Sequence, residues 1–377
     1  MDSVRASVLE RAQTVVVKVG TNVLANARGE IDTERIQSLS DQIMRIRSSN
    51  RRVVLVSSGA IGAGLGRLKL KKRPGDLPHL QACAAVGQSV LMQIYQESFA
   101  HHGVPVAQIL LTAGDFDHRV RYLNVKNTIQ MLFEYQSLPI INENDTVSVA
   151  EIKFGDNDHL AALLANLLQA ELLVLLTSVD GLYTSDPTQD PTAHIVHTVT
   201  NVDDQISAMA GKSTSLLGTG GMKSKLRSAK TAATGGSAVI MANGNTHGIL
   251  DSIFAGDEVG TLFLPQGGVL PARQRWLAFT ARAKGALWLD DGAATAVVKQ
   301  GRSLLPIGVI KVTGDFKKGD VVSICSTQGQ EIARGLSNYS MTEAEKIRGL
   351  TSEQIARVIG KLPYMEMVHR DNMAMVN

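Results

Sequence analysis

Short, unbroken apolar runs recur along the first 243 residues, separated by segments whose apolar positions return every three or four residues. The runs TVVVKV (14–19), RVVLVS (52–57), VPVAQILL (104–111), LPIIN (138–142), ELLVLLT (171–177) and SAVIM (237–241) are short and rich in β-branched residues. Continuous rather than alternating hydrophobicity is the pattern of strands covered on both faces. Between the first two runs, Ile36, Leu39, Ile43 and Ile46 fall at helical spacing and form one apolar stripe. Strand and helix alternating in this way predict an α/β fold, a mainly parallel open sheet sandwiched by helices.

A polar pattern lies on top of the apolar one. Almost every run ends in small and polar residues: Gly20-Thr21-Asn22, Ser57-Ser58-Gly59, Asn142-Glu143-Asn144-Asp145, Thr177-Ser178 and Asn243-Gly244. Ligands of open α/β sheets bind at the carboxyl ends of the strands. The pattern therefore predicts one composite site along one edge of the sheet.

Texture changes where Gly, Pro and Arg cluster in GTLFLPQGGVLPARQR (260–275). Beyond it, GALWL, AVVKQ, GVIKVTGDF, GDVVSIC and EIARGLSNY read as short strands spaced by Gly and Asp turns, a small β-rich domain. The expected division is a first domain over 1–265, a linker over 266–282, the β-rich domain over 283–361 and a tail over 362–377. Residues 283–361 carry eleven Lys and Arg against eight Asp and Glu, which accounts for the chain's whole net charge of +3.

Composition adds limits. Of the 377 residues, 44% are hydrophobic and 19% charged, enough for a large core and against disorder as the main state. A net charge of +3 is too small to make the whole chain a nucleic-acid binder. Two distant cysteines, Cys83 and Cys325, argue against a disulfide framework and for a reducing compartment. The start, MDSVRASVLERAQ, lacks the apolar stretch of a secretory signal. The apolar region 161–179 is interrupted by Asn166, Gln169 and Glu171 and reads as a helix followed by a strand, not a membrane span. The expectation is a cytoplasmic protein without a membrane segment.

Familiar nucleotide motifs fail on spacing. GKST (211–214) would need a glycine at position 206 to end a Walker A loop, and Ile206 stands there. A dinucleotide fingerprint through Gly218 and Gly220 would need a third glycine where Lys223 stands. The histidines show no metal-ligand spacing.

Four stretches carry chemistry. Lys18 lies inside an apolar run two residues before Gly20, either reaching solvent from the strand end or aimed at a phosphate beside backbone N–H groups. VSSGAIGAGLGRL places Gly59, Gly62, Gly64 and Gly66 after a strand, which suits an anion nest or close helix packing equally. INENDTVSVAEIKFGDNDHLAALLA gathers Glu143, Asp145, Glu151, Asp156 and Asp158 with Asn142, Asn144 and Asn157. Helix capping explains one of them; the rest suit an ammonium group, Mg²⁺ or a lysine held in place. LGTGGMKSKLRSAKTAAT then runs from a glycine turn into a helix bearing Lys223, Lys225, Arg227 and Lys230, an anion site by geometry. Two lysine-plus-glycine sites and an acidic pocket, with no nucleophile–base pair, are the equipment of phosphoryl transfer. A carboxylate acceptor, already ionised at neutral pH, would need no base.

The stretches VVVKVGTNVL, VSSGAIGAG, AAVGQ, INENDTV, FGDND, LLTSVDGLYTSDP and GTGGMKSKL occur in the order and spacing of glutamate 5-kinases, members of the amino-acid kinase fold, and the chain resembles that family from about residue 14 onward. GRSLLPIGV, GDFKKGDVV and RGLSNY resemble the PUA domain appended to many of them. The resemblance implies ATP-dependent phosphorylation of the γ-carboxylate of L-glutamate to L-glutamyl 5-phosphate, the first step of proline synthesis. It implies that Lys18 and Lys225 flank the transferring phosphoryl group and that Asp158 orients them. Ser58, Asp145 and Asn157 would bind glutamate, with Asp156 nearby. The nucleotide site would include Lys18, Gly20, Thr177, Ser178, Thr219, Gly220, Gly221, Met222, Lys223, Ser224 and Lys225, with Lys223 the least involved. Many relatives have Asp where Ser178 stands, which puts a nucleotide-side contact in question. Mg²⁺ would accompany ATP on its phosphates, with no protein metal ligand assigned. Proline as feedback inhibitor, a homo-oligomer and a glutamyl phosphate reductase partner also follow from the resemblance.

Two alternatives remain open at this point. One is a related kinase acting on acetylglutamate, aspartate or a nucleoside monophosphate. The other is RNA binding through the PUA-like domain. Its charge permits phosphate contacts, but Trp288, Phe316 and Tyr339 are scattered in sequence and suggest no stacking platform, so a structural or regulatory role is expected.

Overall fold

The structure, a computed structural model, describes residues 3–26, 30–148, 157–209, 221–266, 274, 276–351, 353–355 and 364–376. It divides into two compact units, Met1–Gly268 and Val269–Asn377.

In the first unit, β1 (Thr14–Val19), β2 (Arg52–Val56), β3 (Val106–Leu111), β4 (Leu138–Glu143), β5 (Leu172–Thr177), β6 (Thr198–Val199), β7 (Ala238–Asn243) and β8 (Thr261–Phe263) form one sheet. Their order is β3-β4-β2-β1-β5-β7-β8-β6. All neighbours pair in parallel except β7 with β8. The expected parallel α/β architecture is present. The short β6 and β8 were not legible as apolar runs; they extend one edge. β1, β4 and β5 are buried along their whole length. β3 departs from the expectation of a strand covered on both faces. It forms the other edge, most of its residues are partly exposed, and Leu110 is 37% exposed.

From β1 the chain leaves to β2 on one side, while β5 flanks β1 on the other. Such a reversal marks a switch point, and ligands of open α/β sheets usually bind beyond the carboxyl ends of the strands there. Lys18, next to last in β1, stands opposite Val56 of β2 and Leu175 of β5, near the carboxyl ends of these strands.

Helices cover the sheet. The apolar stripe lies on helix Thr33–Ser48, whose start is capped by the Asp32 carboxylate accepting from the Arg35 N–H at 2.9 Å. Ile36, Leu39, Ile43 and Ile46 are buried, each worth about 1.5–3 kcal/mol relative to exposure. Helices Ala60–Arg67 and Leu77–Ala100 touch through their backbones. A Cβ on Gly64 would lie 1.8 Å from the Cys83 carbonyl oxygen, and one on Gly87 would lie 1.8 Å from that of Ala60. Gly64 thus serves packing, whereas Gly59, at φ +92°, turns the chain into the helix.

The second unit is built on β9 (Gly285–Leu289), β10 (Val309–Gly314), β11 (Val321–Cys325), β12 (Glu331–Leu336) and β13 (Met373–Met375), in the order β10-β9-β11-β12-β13. AVVKQ is not a strand: it lies in helix Asp291–Gln300, capped by Asp290 accepting from the Ala293 N–H at 2.7 Å and closed by Gly301 at φ +60°. Local caps outweigh the two adjacent valines. The segment read as a tail supplies β13, which pairs antiparallel with β12. Phe316 and Tyr339 are buried in this unit's core.

Candidate active site

Two ammonium groups meet on one buried carboxylate. Lys18 Nζ lies 2.5 Å from Asp158 Oδ1, and Lys225 Nζ lies 2.8 Å from Asp158 Oδ2. The Asp158 side chain is 4% exposed, those of Lys18 and Lys225 7% and 13%. Three different elements supply the three groups: β1, the first turn of helix Asn157–Leu168 and the first turn of helix Met222–Thr234. The two helices pack together, both rich in buried alanine, with Asn166 Nδ2 donating to the Thr231 carbonyl at 3.2 Å. Gly235 belongs to the same contact, because a Cβ there would lie 1.9 Å from Asn166 Oδ1. That close packing brings Lys225 to Asp158.

Burial alone would raise the Asp158 carboxyl. The attraction of Lys18 and then Lys225, with hydrogen bonds from both, outweighs it and holds the group well below the usual carboxylate range. Asp158 therefore stays ionised, and the trio sums to one formal positive charge. Such an arrangement holds two lysines side by side and leaves their combined field attractive to a phosphoryl group.

Beside this clamp lies a polar wall. The turn after β2 presents Ser58, and Asn157 Nδ2 contacts Ser58 Oγ at 3.0 Å, the Ser57 carbonyl at 2.9 Å and Asn142 Oδ1 at 3.0 Å. Ser58, Asn142, Asn157 and Glu143 are buried, Glu143 accepting from Ser148 Oγ at 3.2 Å. Half-buried Asp145 follows β4; burial pushes its carboxyl up to about 6, with the Arg73 guanidinium pulling the other way. Behind the wall, Ser57 Oγ and the buried Tyr95 hydroxyl share a hydrogen bond of 2.9 Å.

On the other side, Gly20 N–H donates to the Leu176 carbonyl at 3.1 Å, tying β1 to β5. A Cβ on Gly20 would crowd the Leu176 carbonyl oxygen at 3.3 Å while making ordinary contact with Lys18 Nζ at 3.5 Å. Thr177 is buried at the end of β5, while Ser178 is exposed. Gly221 caps the helix that carries Lys225; Met222 and Ser224 are half-buried and Lys223 is exposed. Thr219, Gly220 and Asp156 lie outside the described residues. Sequence reasoning did not single out Asp180, which accepts from Asn243 Nδ2 at 2.8 Å and from the Tyr183 hydroxyl at 3.0 Å. It lies within the quoted LLTSVDGLYTSDP stretch, but nothing in that stretch names its partner across the sheet. Among the described residues, no three His, Cys, Asp or Glu gather as metal ligands.

The amino acid kinase family matches residues 13–243, and the PUA domain matches residues 285–359. The glutamate 5-kinase of Desulfotalea psychrophila is 46% identical over 374 residues, covering 99% of both chains. That of Caldanaerobacter subterraneus is 44% identical over 362 residues, covering 96% of this chain and 97% of its own length. The chain belongs to the glutamate 5-kinase family. Its relatives in that family match it across both units, so the PUA domain is part of the shared architecture. Among solved structures, carbamate kinase from Giardia lamblia covers 68% of this chain and 99% of its own length, at 19% identity and a TM-score of 0.48.

Proposed function

We infer that the chain transfers the γ-phosphoryl group of ATP to the γ-carboxylate of L-glutamate, giving L-glutamyl 5-phosphate and ADP, the first step of proline biosynthesis. The observation that carries this reading is the seating of Lys18 and Lys225 on opposite oxygens of Asp158 at the sheet's switch point. A carboxylate oxygen of glutamate attacks the γ-phosphorus, the bond from that phosphorus to the β,γ-bridging oxygen breaks, and ADP leaves with the electron pair. The acceptor is ionised at neutral pH, so no group need remove a proton. Lys18 and Lys225 offset charge on the phosphoryl oxygens in flight, and Asp158 keeps the two ammonium groups from repelling each other apart.

Ser58, Asn157, Asp145 and Asp156 are assigned to the amino-acid end. Asp145 offers a carboxylate to the α-ammonium. Thr177, Ser178 and the stretch from Thr219 to Lys225 serve the nucleotide. Both oxygens of Asp158 are engaged by lysines, so Mg²⁺ is assigned to the ATP phosphates, where it would screen their charge. Feedback by proline at or near the glutamate site, homo-oligomeric assembly, a glutamyl phosphate reductase partner and a cytoplasmic location belong to the same proposal and are supported by family membership. The PUA unit is assigned a structural or regulatory role: its Phe316 and Tyr339 are buried, and the half-buried Trp288 carries the Lys311 ammonium 4.7 Å from its ring centre.

The test is ADP release with glutamate, acetylglutamate, aspartate and UMP as acceptors. Glutamate should be preferred by orders of magnitude; preference for acetylglutamate or UMP would reassign the acceptor.

A further inference from the structure

The AAVGQ segment (84–88) has no part in the reaction as described so far, yet it lies directly behind the amino-acid wall. Gly87 lets helix Leu77–Ala100 press on the turn-and-helix that begins at Ser57. Gln88, one residue on, contacts Asn142: Asn142 Nδ2 donates to Gln88 Oε1 at 2.8 Å.

Backbone groups fix the orientation of every amide in this chain of contacts. The Glu143 N–H donates at 2.9 Å to the side chain of Asn142. A backbone N–H can only donate, so the atom it meets is the Asn142 oxygen. The NH₂ of Asn142 then faces Gln88, which must present its oxygen. The same Asn142 oxygen receives Asn157 Nδ2 at 3.0 Å, and the Ser57 carbonyl, which can only accept, receives that nitrogen at 2.9 Å. Asn157 is thereby held with its NH₂ inward. Its Oδ1 is buried and has no protein partner among the described residues, in a residue only 9% exposed. A buried amide oxygen without a donor is costly, so its orientation needs something to hold it and something to satisfy it.

We propose that Gln88 and Asn142 are positioning residues that lock the Asn157 amide with its oxygen facing the acceptor, where it receives an N–H of the substrate's α-ammonium. The proposal rests on an amino acid being the acceptor. Removing the Gln88 oxygen leaves Asn142 Nδ2 without its partner at the outer end of the relay. Asn142 is then anchored through its oxygen alone, and the Asn157 amide that rests on that oxygen is placed less firmly for the ammonium.

Gln88→Met removes the acceptor at similar volume, whereas Gln88→Glu keeps an oxygen toward Asn142. Steady-state kinetics with both substrates, glutamate calorimetry and thermal melting are read on the full chain. The expected result for Gln88→Met is a glutamate KM and Kd raised about tenfold, with ATP KM within about twofold and kcat within about threefold. Gln88→Glu should restore glutamate KM to within about threefold of the parent. Unchanged glutamate affinity in Gln88→Met overturns the relay. So does equal loss in both variants, or a fall in kcat alone that follows a lower Tm. Should the parent chain use another amino acid and not glutamate, the functional reading fails, and the same KM comparison on that acceptor still decides the relay.

Discussion

Asp158 faces two lysines, and that asymmetry sets what each substitution does. Removing either lysine leaves the carboxylate paired with the other, so the fold should survive while transfer fails. Lys18→Ala and Lys225→Ala are expected to lower kcat by at least about 10²–10³, with circular dichroism and Tm close to the parent. Near-normal turnover in either variant removes that lysine from the mechanism. Asp158→Asn differs, because two buried ammonium groups lose their counter-charge. It should cost about 3 kcal/mol in denaturant unfolding as well as activity. Asp145 governs the acid side. Its carboxyl, ordinarily near 3.8, is raised to about 6. The folded chain therefore holds a proton there that the unfolded chain releases, so stability falls as pH rises from about 4 to 6. Above pH 6 the ionised group is a standing cost that Asp145→Asn should relieve, visible as a higher Tm at pH 7.5 and no gain at pH 4. If the carboxylate binds the α-ammonium, glutamate KM at pH 5 should be about tenfold its value at pH 7, since only about a tenth of Asp145 is ionised there. A flat KM across that range detaches Asp145 from the substrate. That polar groups gather at the strand ends was legible, because they interrupt apolar runs there. Their pairings were not: Lys18 and Asp158 are 140 positions apart, and only the fold joins them.

At the scale of elements, the interior of the sheet was legible and its margins were not. Central strands announce themselves by unbroken Val, Ile and Leu because both faces are buried. The two-residue β6 and three-residue β8 are too short to carry a pattern, and β3 has the apolar run of a covered strand while sitting at an edge. AVVKQ shows the opposite failure: two valines suggest a strand, and Asp290 and Gly301 at the ends decide for a helix. The glycines of VSSGAIGAGLGRL were ambiguous between a ligand turn and helix packing; Gly64 serves packing against Cys83, and Gly59 makes a turn at φ +92°. Gly87→Ala tests the packing role, since its Cβ would overlap the Ala60 carbonyl. Unfolding should show a loss of about 1–3 kcal/mol or more; an unchanged midpoint would mean the helices part freely.

For the whole molecule, two compact units were legible from the Gly, Pro and Arg cluster and the change to short strands beyond it. What the second unit does is less written in its residues, because its excess of positive charge is small and Phe316 and Tyr339 are spent on its own core. RNA should show no retention even at low salt; steep salt-dependent binding would assign the unit a nucleic-acid role. In the first unit Lys18 and Lys225 share Asp158 beside the polar wall of Ser58, Asn142 and Asn157, and the proposed reaction stands on the bond made there. The most direct measurement is mass spectrometry of the product formed with glutamate, ATP and hydroxylamine, which traps an acyl phosphate. γ-Glutamyl hydroxamate is expected in amounts matching ADP. ADP release from glutamate without hydroxamate, or hydroxamate formed only from a different acceptor, would contradict the proposed reaction.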